Sequence, residues 1–382
     1  MIPSLSDRGT YKALTQGRYL NQASLGLINV PTMTAMHTFL DNVAQYGNMN
    51  LSDAEEVGLF TPLRDCASTL MNCSVEQLAI VGSAGEMLSQ LPYLFRPTIG
   101  SKVIAVASDF PGITRPWIAY GENHDIDVCF VTESSDQDLT QTLIDEIDEK
   151  TVAVLVSHVQ FSTGSVINCQ RLREATRIVG AYLVLDVTQS AGAIPIYADR
   201  WQPDVMVCSG YKWLGGHGGV GLGVIDPQLL ARTPPAPGWM GADDPFDMQA
   251  TRLPLAPGAR RYTQSTMSYV SIMGLNTSIR QILEIEPEKI KAHADSLANI
   301  LAIQLEESGW KPFRPIGNEA ASSHILSLFH SNSNADTTMK GLLDAGIICS
   351  VRNGRVRISF AHYNDETDVI HLVNTLKRIV PE

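Results

Sequence analysis

Residues 183–225 read LVLDVTQSAGAIPIYADRWQPDVMVCSGYKWLGGHGGVGLGVI. Two apolar runs, Tyr182 to Val187 and Asp204 to Cys208, each break off at polar residues. Strands of a parallel sheet end this way at the edge where ligands bind. The first run delivers Asp186 and then Gln189; the second delivers Ser209, Tyr211 and Lys212 ahead of a glycine run. Singly, an acid after a strand is an ordinary loop cap and a lysine an ordinary surface charge. Together they set a carboxylate and an amine at two strand ends.

Outward from this block, apolar runs recur at Ala79–Val81, Lys102–Ala107, Asp127–Val131, Val152–Ser157 and Val220–Ile225. Helical patterns lie between several of them, such as Gln170–Val179 with Leu172, Ala175, Thr176 and Val179 on one face. That alternation predicts an α/β fold with a mostly parallel sheet. A Pro/Gly-rich stretch, Thr233–Pro245, interrupts it. Beyond come a helix pattern over Pro287–Ser308, a strand over Ser323–Phe329 and a helix over Asp336–Ala345. A hairpin signal at Asn353-Gly354 and a last helix over Glu366–Ile379 complete a smaller α+β lobe.

The 382 residues, 44% hydrophobic and 18% charged, suffice for one large core and a smaller lobe. Twenty-eight basic against 40 acidic residues leave a net charge of −12, which argues against nucleic acid or an anionic membrane as partner. No apolar run approaches the roughly 20 residues that span a bilayer. The start, MIPSLSDRGTYKAL, has no signal-peptide pattern, and a cytoplasmic protein is expected. Six cysteines (Cys66, Cys73, Cys129, Cys169, Cys208 and Cys349) show no metal-ligand spacing, and no metal site is expected. The run Gly215–Gly223 leads into a strand, not a helix, so it reads as a turn and not as a dinucleotide fingerprint.

An acid at one strand end and a lysine at the next match the needs of pyridoxal 5′-phosphate. The carboxylate keeps the pyridine nitrogen protonated, and the amine forms a Schiff base and moves protons. With Asp186, Gln189 and Ser209-Gly210-Tyr211-Lys212 at its centre, the chain resembles the class V aminotransferase superfamily. This fold type I group includes cysteine desulfurases, kynureninases and isopenicillin N epimerase-like enzymes. The likeness runs from Tyr19-Leu20-Asn21-Gln22-Ala23 to Arg357-Ile358-Ser359 and Tyr363-Asn364.

The resemblance implies a large domain over 21–265 with a mostly parallel seven-stranded sheet. It also implies a small C-terminal α+β domain over 266–382 and an N-terminal segment, 1–20, packed on that small domain. Lys212 takes the role of Schiff-base lysine and Cα base, Asp186 that of the ring-nitrogen partner, and Phe110 in Ser108-Asp109-Phe110-Pro111-Gly112 that of the ring stacker. Desulfurases carry a histidine there, and a phenyl ring cannot shuttle a proton. Ser83 and Ala84, in a small-residue loop opening a helix, fall to the cofactor phosphate, joined by Ser209 and Tyr211. Gln160 and Gln189 are the candidates for the cofactor's 3′ oxygen, while His158 is structural. Thr266 implies a phosphate contact into the neighbouring subunit, and so a homodimer with a shared active site. Arg357 matches the carboxylate-binding arginine, and Asn21 joins it as a substrate contact.

The expected function is a pyridoxal phosphate enzyme that deprotonates Cα of an α-amino acid. Lyase cleavage at Cβ or at a C–S bond of a cysteine-like substrate is placed first, then an aminotransferase, then an epimerase. A persulfide-forming desulfurase is placed last, because Cys349 lies in an apolar run followed only by a short turn.

Overall fold

The computed structural model describes residues 1–380; the last two residues of the expected 266–382 unit lie outside the described residues. Seven strands form the central sheet: β1 (Leu78–Val81), β2 (Lys102–Val106), β3 (Asp127–Val131), β4 (Thr151–Ser157), β5 (Tyr182–Asp186), β6 (Val205–Ser209) and β7 (Gly221–Ile225). Their spatial order is β1-β7-β6-β5-β4-β2-β3. All pair in parallel except β7, which runs antiparallel to both β1 and β6. Every strand of this sheet read from the sequence is present, with ends shifted by one residue at most from those expected. The inner strands are largely apolar because both sheet faces are covered there: Val103, Ile104, Ala105 and Val106 are fully buried, whereas the edge strand β3 leaves Asp127 and Phe130 exposed.

One cover is supplied by the helices Ala84–Phe95 and Pro111–His124, whose Met87, Leu91, Ile113 and Trp117 join Val81, Val103 and Val184 in one core cluster. The opposite face takes the helices Thr61–Met71, Cys169–Val179 and Tyr269–Ile285. Two long helices, Val30–Tyr46 and Tyr269–Ile285, were not anticipated. The first carries Met33, Met36, Leu40 and Val43 at helical spacing, yet among the described residues it buries only Thr32. The second dilutes its buried face with Ser271, Gly274 and Ser278. Its Ile272, Leu275, Ile279 and Ile282 pack with Leu63 and Leu70 under the large sheet. Ile290 of the following helix, Pro287–Leu305, joins the same core cluster.

The smaller sheet comprises β8 (Lys311–Pro312), β9 (Ile325–Phe329), β10 (Ser350–Arg352) and β11 (Arg355–Ser359), in the order β10-β11-β9-β8 and antiparallel throughout. The β10–β11 hairpin turns on Asn353 and Gly354, at φ of 48° and 72°, the left-handed pair that a two-residue turn of this hand requires. The N-terminal segment ties onto this lobe. Arg18–Tyr19 pairs in parallel with Ile347–Ile348, and Arg8 Nη1 lies 2.8 Å from Asp368 and 3.0 Å from Asp365. Among the described residues no helix is long and apolar enough to cross a membrane, and no cluster of potential metal ligands occurs.

Candidate active site

The C-terminal ends of β4, β5 and β6 converge with the N-terminus of the helix Ala84–Phe95 on a cleft of about 60 Å³. Asp186, Thr188 and Gln189 line it from β5 and its loop; Ser209, Tyr211 and Lys212 line it from β6 and its loop. Ser157, Phe161, Phe110, Gly112, Ala84, Gly85 and Leu88 complete its wall. A larger surface hollow, about 640 Å³ and lined by Ser68, Asn72, Arg177 and Asp226 among others, contains no lysine. The chemistry is concentrated in the small cleft.

Lys212 is buried, and its Nζ lies 5.2 Å from the centroid of the Phe110 ring and 5.8 Å from that of Tyr211. Burial lowers its pKa from 10.5 to about 8, with the charges of Asp186 opposing and Arg357 reinforcing the shift. At neutral pH roughly a tenth of such amines are uncharged, against far less than a hundredth for an ordinary lysine. The backbone here is held by glycine. The Lys212 carbonyl accepts from Gln22 Nε2 at 3.0 Å, and a Cβ on Gly26 would stand 2.0 Å from that carbonyl oxygen. No side chain fits at Gly26 without moving the lysine's peptide.

Asp186, the last residue of β5, is buried and accepts a hydrogen bond from the Thr188 N–H at 2.8 Å. Burial raises its pKa, against the pull of that N–H and of Lys212. A carboxylate so desolvated gains by facing a cation.

Phe110 is seated by its neighbour. Asp109, fully buried, accepts from the Phe110 N–H at 2.7 Å, from the Ser157 N–H at 2.8 Å and hydroxyl at 2.6 Å, and from Gln160 Nε2 at 3.0 Å. Four donors on one carboxylate lock the tip of β2 to the tip of β4. The Phe110 ring also meets the edge of Phe161, centroids 5.7 Å apart.

Several expectations change at this point. Gln160 does not line the cleft: its Nε2 donates to Asp109 and the Ser157 carbonyl, while its buried Oε1 has no partner among the described residues. Gln189 does line the cleft, but Nε2 donates to the Ala23 carbonyl at 3.0 Å and Oε1 accepts from Trp213 Nε1 at 2.7 Å. Ser83 is exposed and caps the helix, its Oγ accepting from the Glu86 N–H at 3.0 Å. The anion-ready groups are the backbone N–H donors of Ala84 and Gly85, which a helix leaves unpaired in its first turn. Gly221 makes their approach to β7 feasible, since a Cβ there would lie 2.6 Å from the Ala84 nitrogen. Thr266 is exposed and lies outside this chain's own cleft.

Arg357, on β11, is not among the residues that line the cleft, and neither is Asn21; Arg357 meets the cleft wall through the carbonyl of Phe161. Fully buried, it donates from Nη1 to the Phe161 carbonyl at 2.6 Å, from Nη2 to Ser24 Oγ at 2.5 Å and from Nε to Ser350 Oγ at 3.2 Å. Burial and the nearby charge of Arg352 lower its pKa to about 9; no carboxylate is among the groups acting on it. Asn21, bridged to Ser359 beside it, keeps a buried Oδ1 without a partner among the described residues.

The sequence reading overlooked Asp109, Ser157 and Thr188. Ser157 ends its strand just as Asp186 does, and Asp109 follows three residues after the end of β2; those positions were the available signal. Other titratable groups are withdrawn from chemistry. His158 packs on Trp201 at 4.6 Å, and burial takes its pKa to about 3. Burial pushes the Cys349 thiol to about 12, and its sulfur lies 3.4 Å from Met339 Sδ.

The aminotransferase class-V family model matches residues 19–372. Kynureninase from Bacillus anthracis is 25% identical over 386 residues, covering 95% of this chain and 88% of that protein. In fold, the chain superposes on the cysteine desulfurase CsdA of Escherichia coli with a TM-score of 0.83 at 18% identity, 97% of each chain covered. It superposes on the cystine C–S lyase C-DES, solved with its product cysteine persulfide, at 0.86 and 19% identity, covering 96% of this chain and 98% of that one.

Proposed function

Because the chain belongs to the aminotransferase class-V family, whose enzymes use pyridoxal 5′-phosphate, we propose that Lys212 and Asp186 hold that cofactor and that the enzyme is a lyase acting at Cβ or a C–S bond of an α-amino acid. The residues present fit the group. Asp186 is a buried carboxylate at the cleft wall without a cationic hydrogen-bond partner, and the cleft offers the free N–H groups of Ala84 and Gly85. Bound there, the cofactor supplies an aldehyde for an amine to condense with and a ring that accepts electrons from Cα.

The protein's part is positioning and proton transfer. Lys212 holds the cofactor through Nζ, and its depressed pKa leaves an amine able to take the Cα proton. Asp186 stabilises positive charge at the ring nitrogen. Phe110, fixed through Asp109, covers the ring. Ser209 and Tyr211 add hydroxyls beside Ala84 and Gly85. Arg357, with no carboxylate of its own, orients the substrate carboxylate with Asn21 beside it. Thr266 reaches the phosphate of a second copy in a homodimer, a reading supported by its exposure outside this chain's own cleft.

The observation that carries the reading is a buried lysine with no acidic hydrogen-bond partner, sharing one small cleft with a buried aspartate and a covering aromatic ring. Cleavage is favoured over desulfuration because Phe110 offers no proton and Cys349 is buried with a raised pKa. Transamination is the second reading, and epimerisation the third. Incubation with single amino acids, assayed for pyruvate, ammonia, alanine and sulfide, tests the order. Release of pyruvate or alanine without a keto-acid acceptor supports a lyase, whereas a strict need for such an acceptor overturns it.

A further inference from the structure

The β10–β11 hairpin carries three arginines, Arg352, Arg355 and Arg357, on one face. Arg352 pairs directly with Arg355, and Ser350, two residues before Arg352, pairs with Arg357. Their fates differ. Arg355 stacks over the Phe313 ring at 4.7 Å. Arg352 and Arg357 instead converge on one hydroxyl, Ser24 Oγ, at 3.3 Å and 2.5 Å from their Nη2 atoms. Arg352 otherwise donates only to the carbonyl of its neighbour Val351, at 2.7 Å. No carboxylate pairs with either guanidinium among the described residues.

Two like charges meeting on one neutral oxygen repel, and an entering anion relieves that repulsion. A single α-carboxylate satisfies one planar fork, and Arg357 is the buried one. Arg352 is partly exposed, at the open side of the pair, and keeps donors free. Arg357 also donates to the carbonyl of Phe161, a residue of the cleft wall, so the pair stands beside the cleft that holds Lys212.

We propose that Arg352 is a specificity-determining residue, and that the substrate is an α-amino acid whose side chain ends in a second anionic group, a carboxylate or an acid of sulfur. The inference rests on the reading of Arg357 as the α-carboxylate anchor.

Titration calorimetry on the purified holoenzyme, with glutarate and valerate as five-carbon probes carrying two and one carboxylates, tests it. Glutarate is expected to bind about 10- to 100-fold more tightly, the size of one charge-assisted pair. In Arg352→Gln the ratio of the two dissociation constants falls toward one, while Arg357→Gln weakens both probes. Cofactor absorbance on adding glutamate or norvaline gives a second reading of the same preference. Equal binding of the two probes by the native protein, or an advantage for glutarate that survives in Arg352→Gln, overturns the inference and leaves the Arg357 anchor standing. If neither probe binds and no amino acid alters the absorbance, the anchor itself fails and the inference with it.

Discussion

Lys212 Nζ stands 5.2 Å from the centroid of the Phe110 ring, although the two residues come from different strand ends and lie 102 positions apart. Asp109 makes that relationship rigid by accepting the Phe110 N–H while tying down Ser157 at 2.6 and 2.8 Å. The aromatic ring and the amine thus face one narrow space in the protein itself. The arm from the smaller lobe closes the circuit, since Arg357 holds the carbonyl of Phe161, whose ring in turn abuts Phe110.

Asp186→Asn is expected to keep the fold and reduce turnover by roughly 10² to 10³, about 3 to 4 kcal/mol, the usual size of a lost preorganised charge. Steady-state kinetics beside a circular dichroism spectrum checks it. Turnover at the native rate contradicts the assignment of Asp186.

Lys212 gives the cofactor-free protein a definite pH signature. Its pKa is about 8 folded and 10.5 when unperturbed. Between those values the unfolded chain holds a proton that the folded chain has lost, so stability rises with pH across that window. Lys212→Met lacks this contribution. In urea denaturation the variant's advantage should be largest below pH 8 and shrink toward pH 10.5. A gap that does not vary with pH contradicts the lowered pKa.

Much of this site was legible because the chemistry sits at strand ends, and strands buried on both faces announce themselves as apolar runs. Asp186, Ser209 and Lys212 were found that way, and Asn353-Gly354 marked its hairpin because only certain residues tolerate a positive φ. The rest depended on contacts between distant segments. Nothing local tells that the amide of Gln160 turns inward to Asp109, or that Gln189 brackets Ala23 and Trp213. The helix Tyr269–Ile285 was missed because its buried face mixes Ser and Gly with Ile and Leu. Nor does anything local tell that Ser83 Oγ accepts from the Glu86 N–H as the cap of its own helix.

Cys349→Ala should retain most activity on the true substrate. The thiol is buried, its pKa pushed to about 12, and packed on Met339, so the loss is one of packing, about 1 kcal/mol. A folded, cofactor-bound variant without turnover would restore a persulfide route.

Mixing Lys212→Ala with Thr266→Ala tests the shared site. In the heterodimer, one site combines the intact Lys212 of one chain with the intact Thr266 of the other. Activity should reappear on subunit exchange, toward half the native value per dimer. Its absence despite demonstrated exchange rules out the contribution of Thr266 across the interface.

The central claim, that Lys212 is the residue that holds the cofactor, is tested most directly by borohydride reduction of the yellow protein followed by peptide mass mapping. A single pyridoxyl-phosphate adduct on the peptide containing Ser209-Gly210-Tyr211-Lys212, lost in Lys212→Ala, is the result predicted. An adduct on any other lysine, or none from protein that has bound the cofactor, would contradict it.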